Sequence, residues 1–425
     1  MKLIDELKWR GLLQDTVPGI EDLLEKELVT GYVGFDPTAD SLHIGNLVPI
    51  TMLLHLQLAG HKPLALVGGA TGMVGDPSGK DEERKLLDAE TLAHNLACQT
   101  EQLKKFLDFD CGENSAEVVN NYDWFKDISF LDFIRDVGKH ITINYMMSKD
   151  SVKNRLETGM SFTEFSYQLI QGYDYYHLWK HNGCKLQMGG SDQWGNITTG
   201  TELIRRKGQG EAYAITAPLL MRSDGKKFGK SESGNVWLDR NKTSPYEFYQ
   251  YWIRVPDEDA SKMIRIFTLL KEGEIEALEK EHLVNPSNKI LQQELAKQIT
   301  TRVHSEADYK LAIATSKILF GKPSKADLLD LSQEDFLSIF TGVAQATLSA
   351  DELTEGLSIM DALSAKTGFL ASNSEARRAL IDNCVCLNTE KVNNGYIINK
   401  EDLLHDKYLL VQKGKKNHYI IEVKS

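Results

Sequence analysis

No stretch of this 425-residue chain is long and apolar enough to cross a bilayer. Its first residues, Met1-Lys2-Leu3-Ile4-Asp5-Glu6-Leu7-Lys8, are charged throughout and lack the apolar core of a secretory signal. Cysteine is scarce: Cys98, Cys111, Cys184, Cys384 and Cys386 are odd in number and scattered. That argues against a disulfide framework and for a reducing compartment, so a cytoplasmic location is expected. Cys384-x-Cys386 has the wrong spacing for a zinc knuckle and reads instead as one face of a buried strand. No cluster of metal-ligating residues is apparent, so no protein-held metal is expected. A Gly-x-Ser-x-Gly nucleophile elbow and a Walker phosphate loop are both missing, and there is no internal repeat. Positive charge is also in deficit: 49 Lys and Arg face 61 Asp and Glu, a net charge of -12. This excludes a nonspecific nucleic-acid coat but leaves room for a local basic patch.

What is present is a globular composition, 41% hydrophobic and 26% charged, on a chain long enough for two or three domains. Leu3, Ile4 and Leu7 share one helical face. Val29 to Phe35 is apolar and ends in Asp36-Pro37, a strand entering a turn. From Ile44 onward Leu47, Ile50, Leu54 and Leu58 fall at helical spacing, Gly60 closes the segment, and Leu64–Val67 is a second strand. Strand, helix and strand within about forty residues make a right-handed parallel βαβ unit. The stretch from Gly68 to Ser78 is too rich in glycine for a regular element and reads as a loop at the carboxyl edge of the sheet, where α/β folds bind ligands. Helical periodicity returns over Leu92–Leu107 and from Phe130 into the Tyr167 region. Lys185–Met188 reads as another strand. Beyond about residue 245 the chain is helix-rich, with Leu291, Leu295, Ile299 and Val303 in a clean i+4 stripe. A linker is expected between Gly321 and Glu355. The last seventy residues read as a separate small domain, with a helix over Glu375–Ile381 and strands at Val385–Leu387, Tyr408–Val411 and Tyr419–Val423.

Two signatures far apart carry chemistry. In Pro37-Thr38-Ala39-Asp40-Ser41-Leu42-His43-Ile44-Gly45-Asn46 a histidine and a glycine stand where a loop enters a helix. Unpaired backbone N–H groups and the helix dipole attract phosphate there, and a neutral histidine can donate to a phosphoryl oxygen. In Lys227-Phe228-Gly229-Lys230-Ser231 two ammonium groups and a hydroxyl sit on a glycine-containing loop that can close over a triphosphate and bind harder as charge builds on the leaving group. Lys80 and Arg84, after the glycine-rich loop, face the same phosphates or else form an exposed helix paired with Glu82 and Glu83. Tyr167, Gln171 and Asp174 share one helical face at i, i+4 and i+7. A phenol, an amide and a carboxylate lined up within an apolar helix suit a small polar ligand such as an amino acid. Gly189-Gly190-Ser191-Asp192-Gln193-Trp194 is either a capped turn or a loop whose Asp192 accepts from ribose hydroxyls.

With these residues the chain resembles the class I aminoacyl-tRNA synthetases, and among them the bacterial-type tyrosyl-tRNA synthetases. The resemblance runs over nearly the whole length. It is carried by Tyr32–Gly45, Val67–Gly72, Ser161–Tyr167, Gly189–Asn196 and the lysine loop. It implies an α/β fold with a Rossmann-like parallel-sheet catalytic domain over 1–224 and inserted dimerisation helices at about 125–165. An α-helical domain with the lysine loop over 225–345 and a small α+β RNA-binding domain of the αL type over 346–425 complete it. It implies activation of tyrosine by Mg-ATP, giving tyrosyl-adenylate and pyrophosphate, then transfer to the terminal adenosine of tRNA(Tyr). Tyr32 and Asp174 would meet the tyrosine hydroxyl, Asp76, Tyr167 and Gln171 its ammonium group, and Gln193 its carboxylate. Asp36, His43, Gly45, Asn46, Asp192 and Lys230 would bind ATP. Thr38, His43, Lys80, Arg84, Lys227, Lys230 and Ser231 would stabilise the departing phosphates. Arg377, Arg378, Lys413, Lys415 and Lys416 would meet tRNA phosphates. A homodimer through Phe130, Phe133 and Phe162 is implied as well. The sequence departs from the family's His-Ile-Gly-His signature at Asn46, whose amide can still donate to a ribose or phosphate oxygen. The rival readings are a tryptophanyl-tRNA synthetase, a nucleotidyltransferase with the same phosphate site, and an RNA-binding protein on an inactive synthetase core.

Overall fold

The computed structural model describes residues 2–78, 86–150, 152–153, 159–223, 225, 228–231, 234–340, 342–354, 356–414 and 417–424, with only the backbone described at 230 and 231. The chain forms two compact units, Met1–Glu306 and Ala307–Ser425.

The first unit is built on a six-stranded sheet. Its strands are β1 (Asp15–Thr16), β2 (Thr30–Phe35), β3 (Lys62–Val67), β4 (Glu117–Asn120), β5 (Cys184–Gly190) and β6 (Tyr213–Ala217), in the order β1-β6-β5-β2-β3-β4. Five strands run parallel; β1 adds an antiparallel edge against β6. The central strands β2 and β3 are almost wholly buried, as parallel strands covered on both faces must be. The crossover helix Leu47–Leu58 packs against β2, β3 and β5 and also against the helices Leu3–Arg10 and Asp257–Phe267. A helix packed on all sides is apolar all round, which its sequence Leu-Val-Pro-Ile-Thr-Met-Leu-Leu-His-Leu-Gln-Leu satisfies. The helix Ile290–Val303 buries Leu291, Leu295, Ile299 and Val303 as the stripe predicts. Each such side chain contributes roughly 1.5–3 kcal/mol.

Three expectations change. The periodicity from Phe130 to the Tyr167 region is not one helix. Among the described residues it includes the separate helices Phe130–Asp136, Ile143–Met147 and Phe162–Asn182, because Ser129, Thr142 and Ser161 each cap a new start with a side-chain oxygen that accepts a backbone N–H. The interval Gly321–Glu355 is not a linker. It holds the helices Lys325–Leu329 and Gln333–Ile339 and the strand β9 (Ala344–Ser349). Phe336 and Phe340 share a core with Tyr408, Leu410 and Ile420, so the second compact unit begins well before residue 346. Cys384 is exposed and precedes its strand, and Cys386 is half-buried, so the pair does not form one buried face.

The remaining strands of the second unit are β10 (Leu357–Ser358), β11 (Val385–Leu387), β12 (Glu390–Lys391), β13 (Ile397–Ile398), β14 (Tyr408–Lys413) and β15 (Asn417–Lys424); in the first unit β7 (Lys230–Ser231) and β8 (Gly234–Asn235) form a short antiparallel hairpin. The main sheet of the second unit has the order β12-β11-β14-β15-β9, with β9 running parallel to β15. The helix Asn373–Ile381 packs its Ala376, Ala379 and Leu380 onto the core of this unit.

Candidate active site

A cavity of about 480 Å³ opens at the carboxyl ends of β2 and β5, where the strand order reverses. Tyr32, Asp36, Thr38, His43, Gly45 and Asn46 line it from β2 and the turn beyond. Tyr167, Gln171 and Asp174 line it from the Phe162–Asn182 helix, Asp76 from the glycine-rich loop, and Asp192 and Gln193 from the loop after β5. These twelve residues, expected from the sequence at one tyrosine and ATP site, therefore share one cavity. Lys80, Arg84 and Lys227 lie outside the described residues, and Lys230 and Ser231 are described in backbone only.

One end of the cavity is dry. Asp174 is 1% exposed; its Oδ2 accepts from Asn121 Nδ2 at 3.0 Å and its Oδ1 from Trp124 Nε1 at 2.9 Å. Asn121 also donates to Thr71 Oγ1 and accepts from the Ala70 N–H at 2.6 Å, which ties the glycine-rich loop to the long helix. The Asp174 carboxyl is raised to about 8: burial above all and the Asp36 charge push it up, against the pull of the two hydrogen bonds. The Tyr32 hydroxyl is buried beside it and pushed well above the ordinary phenol range, first by burial and then by the Asp174 charge. Tyr32 Oη, Gln171 Oε1 and Gln187 Oε1 are buried without a hydrogen-bond partner among the described residues. Buried polar atoms are normally paired, so three along one cavity mark where a polar ligand belongs.

The middle of the cavity is acidic. Tyr167 Oη donates to Asp36 Oδ2 at 2.8 Å. Asp76 accepts from Gln193 Nε2 at 2.7 Å and from the Ser78 N–H at 2.9 Å. Burial, then the Asp76 charge, raises the Asp192 carboxyl. Asp36, Asp76, Asp174 and Asp192 are the acidic residues of the described lining, which includes no lysine or arginine. Such a site suits an ammonium group, whereas a triphosphate needs cations brought from elsewhere.

At the mouth, His43 caps a short turn, Ile44–Asn46, that runs into the Leu47–Leu58 helix. Its Nδ1 accepts from the Gly45 N–H at 3.0 Å, which leaves the proton of the neutral ring on Nε2. A Cβ at Gly45 would meet the His43 ring at 2.7 Å, so glycine here makes room for the imidazole. Asn46 Oδ1 accepts from the His43 N–H at 3.0 Å, completing the reciprocal cap. The lysine loop comes to the same place. Gly229, at φ 103°, lies against the Gly45 backbone, and the Ile44 N–H donates to the Val236 carbonyl.

The family described as tRNA synthetases class I (W and Y) matches residues 25–321, and the C-terminal domain described as tyrosine–tRNA ligase SYY-like matches residues 335–421. The chain is 56% identical to the tyrosine–tRNA ligase of Amoebophilus asiaticus, with 99% of each chain covered. The chain belongs to the tyrosine–tRNA ligase family. It is likewise 58% identical to the ligase of Cytophaga hutchinsonii over 98% of each chain. A C-terminally truncated mitochondrial tyrosyl-tRNA synthetase of Aspergillus nidulans superposes with a TM-score of 0.67 at 32% identity, over 75% of this chain and 94% of that one.

Within this family member, reading the sequence missed Thr71, Asn121, Trp124 and Gln187. Gln187 was visible as a polar residue between Leu186 and Met188 of a strand. Asn121 and Trp124 carry no local signal, because their partner Asp174 lies 53 and 50 residues away.

The buried carboxyl group gives a pH dependence. A carboxyl raised by folding favours the folded state at low pH. Its contribution is whole below about 4 and is lost as pH rises through about 8. The melting temperature of the ligand-free protein is therefore expected to decline from about pH 6 to about pH 8.5. Asp174→Asn, which cannot ionise, should show a shallower decline. Parallel curves for the two proteins in differential scanning calorimetry would remove Asp174 as the titrating group.

Proposed function

We infer that this chain activates L-tyrosine with ATP to tyrosyl-adenylate and pyrophosphate, and then passes the tyrosyl group to the 3′-terminal adenosine of tRNA(Tyr). The observation that supports it best is the dry end of the cavity, where Tyr32 Oη and Asp174 stand together among apolar walls. A phenol there donates to Asp174 and accepts from Tyr32. Phenylalanine would leave Tyr32 Oη unpaired and bring Asp174 no further donor, and an indole presents its N–H elsewhere on a larger ring.

Asp76, Tyr167 and Gln171 take the ammonium group, Gln193 the carboxylate, and Asp192 the ribose. ATP comes with Mg2+ as part of the substrate, and the carboxylate of tyrosine attacks its α-phosphorus. The new C–O–P link forms as the bond to pyrophosphate breaks. Thr38, His43 and Asn46 stabilise the phosphates from one side, and Lys80, Arg84, Lys227, Lys230 and Ser231 from loops on the other. In-line displacement of this kind needs position and charge more than a covalent catalyst.

The second unit is the tRNA-binding module of this reading. Arg377 and Arg378 are exposed on the Asn373–Ile381 helix and suit phosphates. Lys413 pairs with Glu375 of that helix at 2.6 Å, so a phosphate has to displace that carboxylate. Lys415 and Lys416 lie outside the described residues. The protein works in the cytoplasm.

The working form is a homodimer. Phe130, Leu131, Ile143 and Phe162 are 64–77% exposed, an apolar surface a soluble chain normally covers. Phe133 is not part of it, since it packs inward on Phe125 and Tyr173. Joint replacement Phe130→Asp and Leu131→Asp is expected to change the species in sedimentation from twice the chain mass of 47.8 kDa to that mass. A dimer that survives both changes places the interface elsewhere.

The deciding assay is amino-acid-dependent ATP–pyrophosphate exchange with tyrosine, tryptophan and phenylalanine. Exchange is expected to be far faster with tyrosine than with either of the other two. Its absence, or faster exchange with tryptophan, overturns the reading.

A further inference from the structure

We propose that His177 is a positioning residue for substrate choice: its imidazole, stacked on Trp124, holds the indole N–H against Asp174 and so keeps that side chain an acceptor for a phenol. The proposal rests on the tyrosine reading of the cavity given above. Trp124 belongs to Tyr122–Phe125, a helix of one turn with little rigidity of its own. Its Nε1 donates to Asp174 Oδ1 at 2.9 Å. Its face lies flat on His177, with ring centroids 4.5 Å apart and planes 12° from parallel. Asp174 and His177 are three residues apart on the Phe162–Asn182 helix and therefore share a side of it. One turn of that helix thus grips the indole twice, by its N–H and by its face.

His181, one turn on, packs against the other imidazole at 4.5 Å, and Tyr173 approaches it at 6.3 Å. Burial first, then the neighbouring His181 and Lys180, holds His177 down to about 4. A neutral ring can lie against the indole without a charge that demands water. The second donor to Asp174 needs no such help, because Asn121 is fixed by Ala70 and Thr71. Trp124 depends on what packs against its ring. If the indole swings away, Asp174 loses one of the two hydrogen bonds that favour its ionised form. The carboxyl then holds its own proton more firmly and accepts poorly from a phenol.

The test uses the full-length protein in tyrosine-dependent pyrophosphate exchange. His177→Ala is expected to raise KM for tyrosine about tenfold, the weight of one hydrogen bond to an ionisable group. The kcat and the KM for ATP should stay near those of the parent, and the preference for tyrosine over phenylalanine should fall by the same factor. His177→Phe keeps a flat ring on the indole and should behave as the parent does. The proposal is overturned if His177→Ala leaves KM for tyrosine unchanged. It is also overturned if His177→Phe fails as badly as His177→Ala, or if kcat and both KM values worsen together. A parent protein that prefers tryptophan sinks the functional reading and this proposal with it; an active parent with an indifferent His177→Ala sinks the proposal alone.

Discussion

Asp174→Asn is expected to lose at least about a hundredfold in the preference for tyrosine over phenylalanine. Asparagine keeps the size of the side chain but offers one oxygen and two N–H donors in place of two acceptors. Asn121 cannot turn its amide to adapt, since its Oδ1 accepts from the Ala70 N–H and its Nδ2 also serves Thr71. Either Asn121 or Trp124 then faces a donor, and the phenol meets a weakened acceptor. Phenylalanine has no hydroxyl to lose, so its weak activity should change little. The check is kcat/KM for both amino acids in pyrophosphate exchange. If tyrosine and phenylalanine lose equally, the damage is to packing, and Asp174 does not read the phenol.

His43→Ala is expected to slow adenylate formation by about a hundredfold, the loss that follows removal of one preorganised donor to a developing oxyanion. Tyrosine affinity should be nearly unchanged, because the amino-acid end of the cavity is built from other elements. The Nδ1 of His43 is engaged by the Gly45 N–H, so the proton on Nε2 is the one suited to a phosphoryl oxygen. Alanine also removes the cap of the Ile44–Asn46 turn, which costs about 1 kcal/mol of stability. Pre-steady-state measurement separates the two effects. A slow chemical step with normal tyrosine binding supports the phosphate role, while matching losses in binding and rate make His43 structural. Lys230→Ala should follow the same pattern.

The parts of the fold that repeat locally were legible in the sequence. The β2–helix–β3 unit and the stripe from Leu291 to Val303 both follow from periodicity. So did the alignment of Tyr167, Gln171 and Asp174, because one helix carries all three. The failures are non-local. β4 is a four-residue, half-buried edge whose sheet partner among the described residues is β3. β9 reads as a linker because what makes it a strand is β15, some seventy residues later. The breaks between Phe130 and Tyr167 were present as Ser129, Thr142 and Ser161, but apolar spacing outweighed the caps. In the site, residues on the ligand's side of Asp174 were legible, while Asn121 and Trp124 behind it were not, since only the folded chain brings them there.

The pairing of β9 with β15 has a consequence for how the protein is made. The second unit opens its main sheet with Ala344–Ser349 and closes it with Asn417–Lys424, and the two lie side by side. On the ribosome every other strand of that sheet emerges while β9 and β14 each still lack the neighbour that joins them. Both edges stay open until Asn417–Lys424 has left the tunnel, so the sheet is completed only by the last of its strands to be made. A chain stopped before Asn417 would leave those edges bare to other nascent chains.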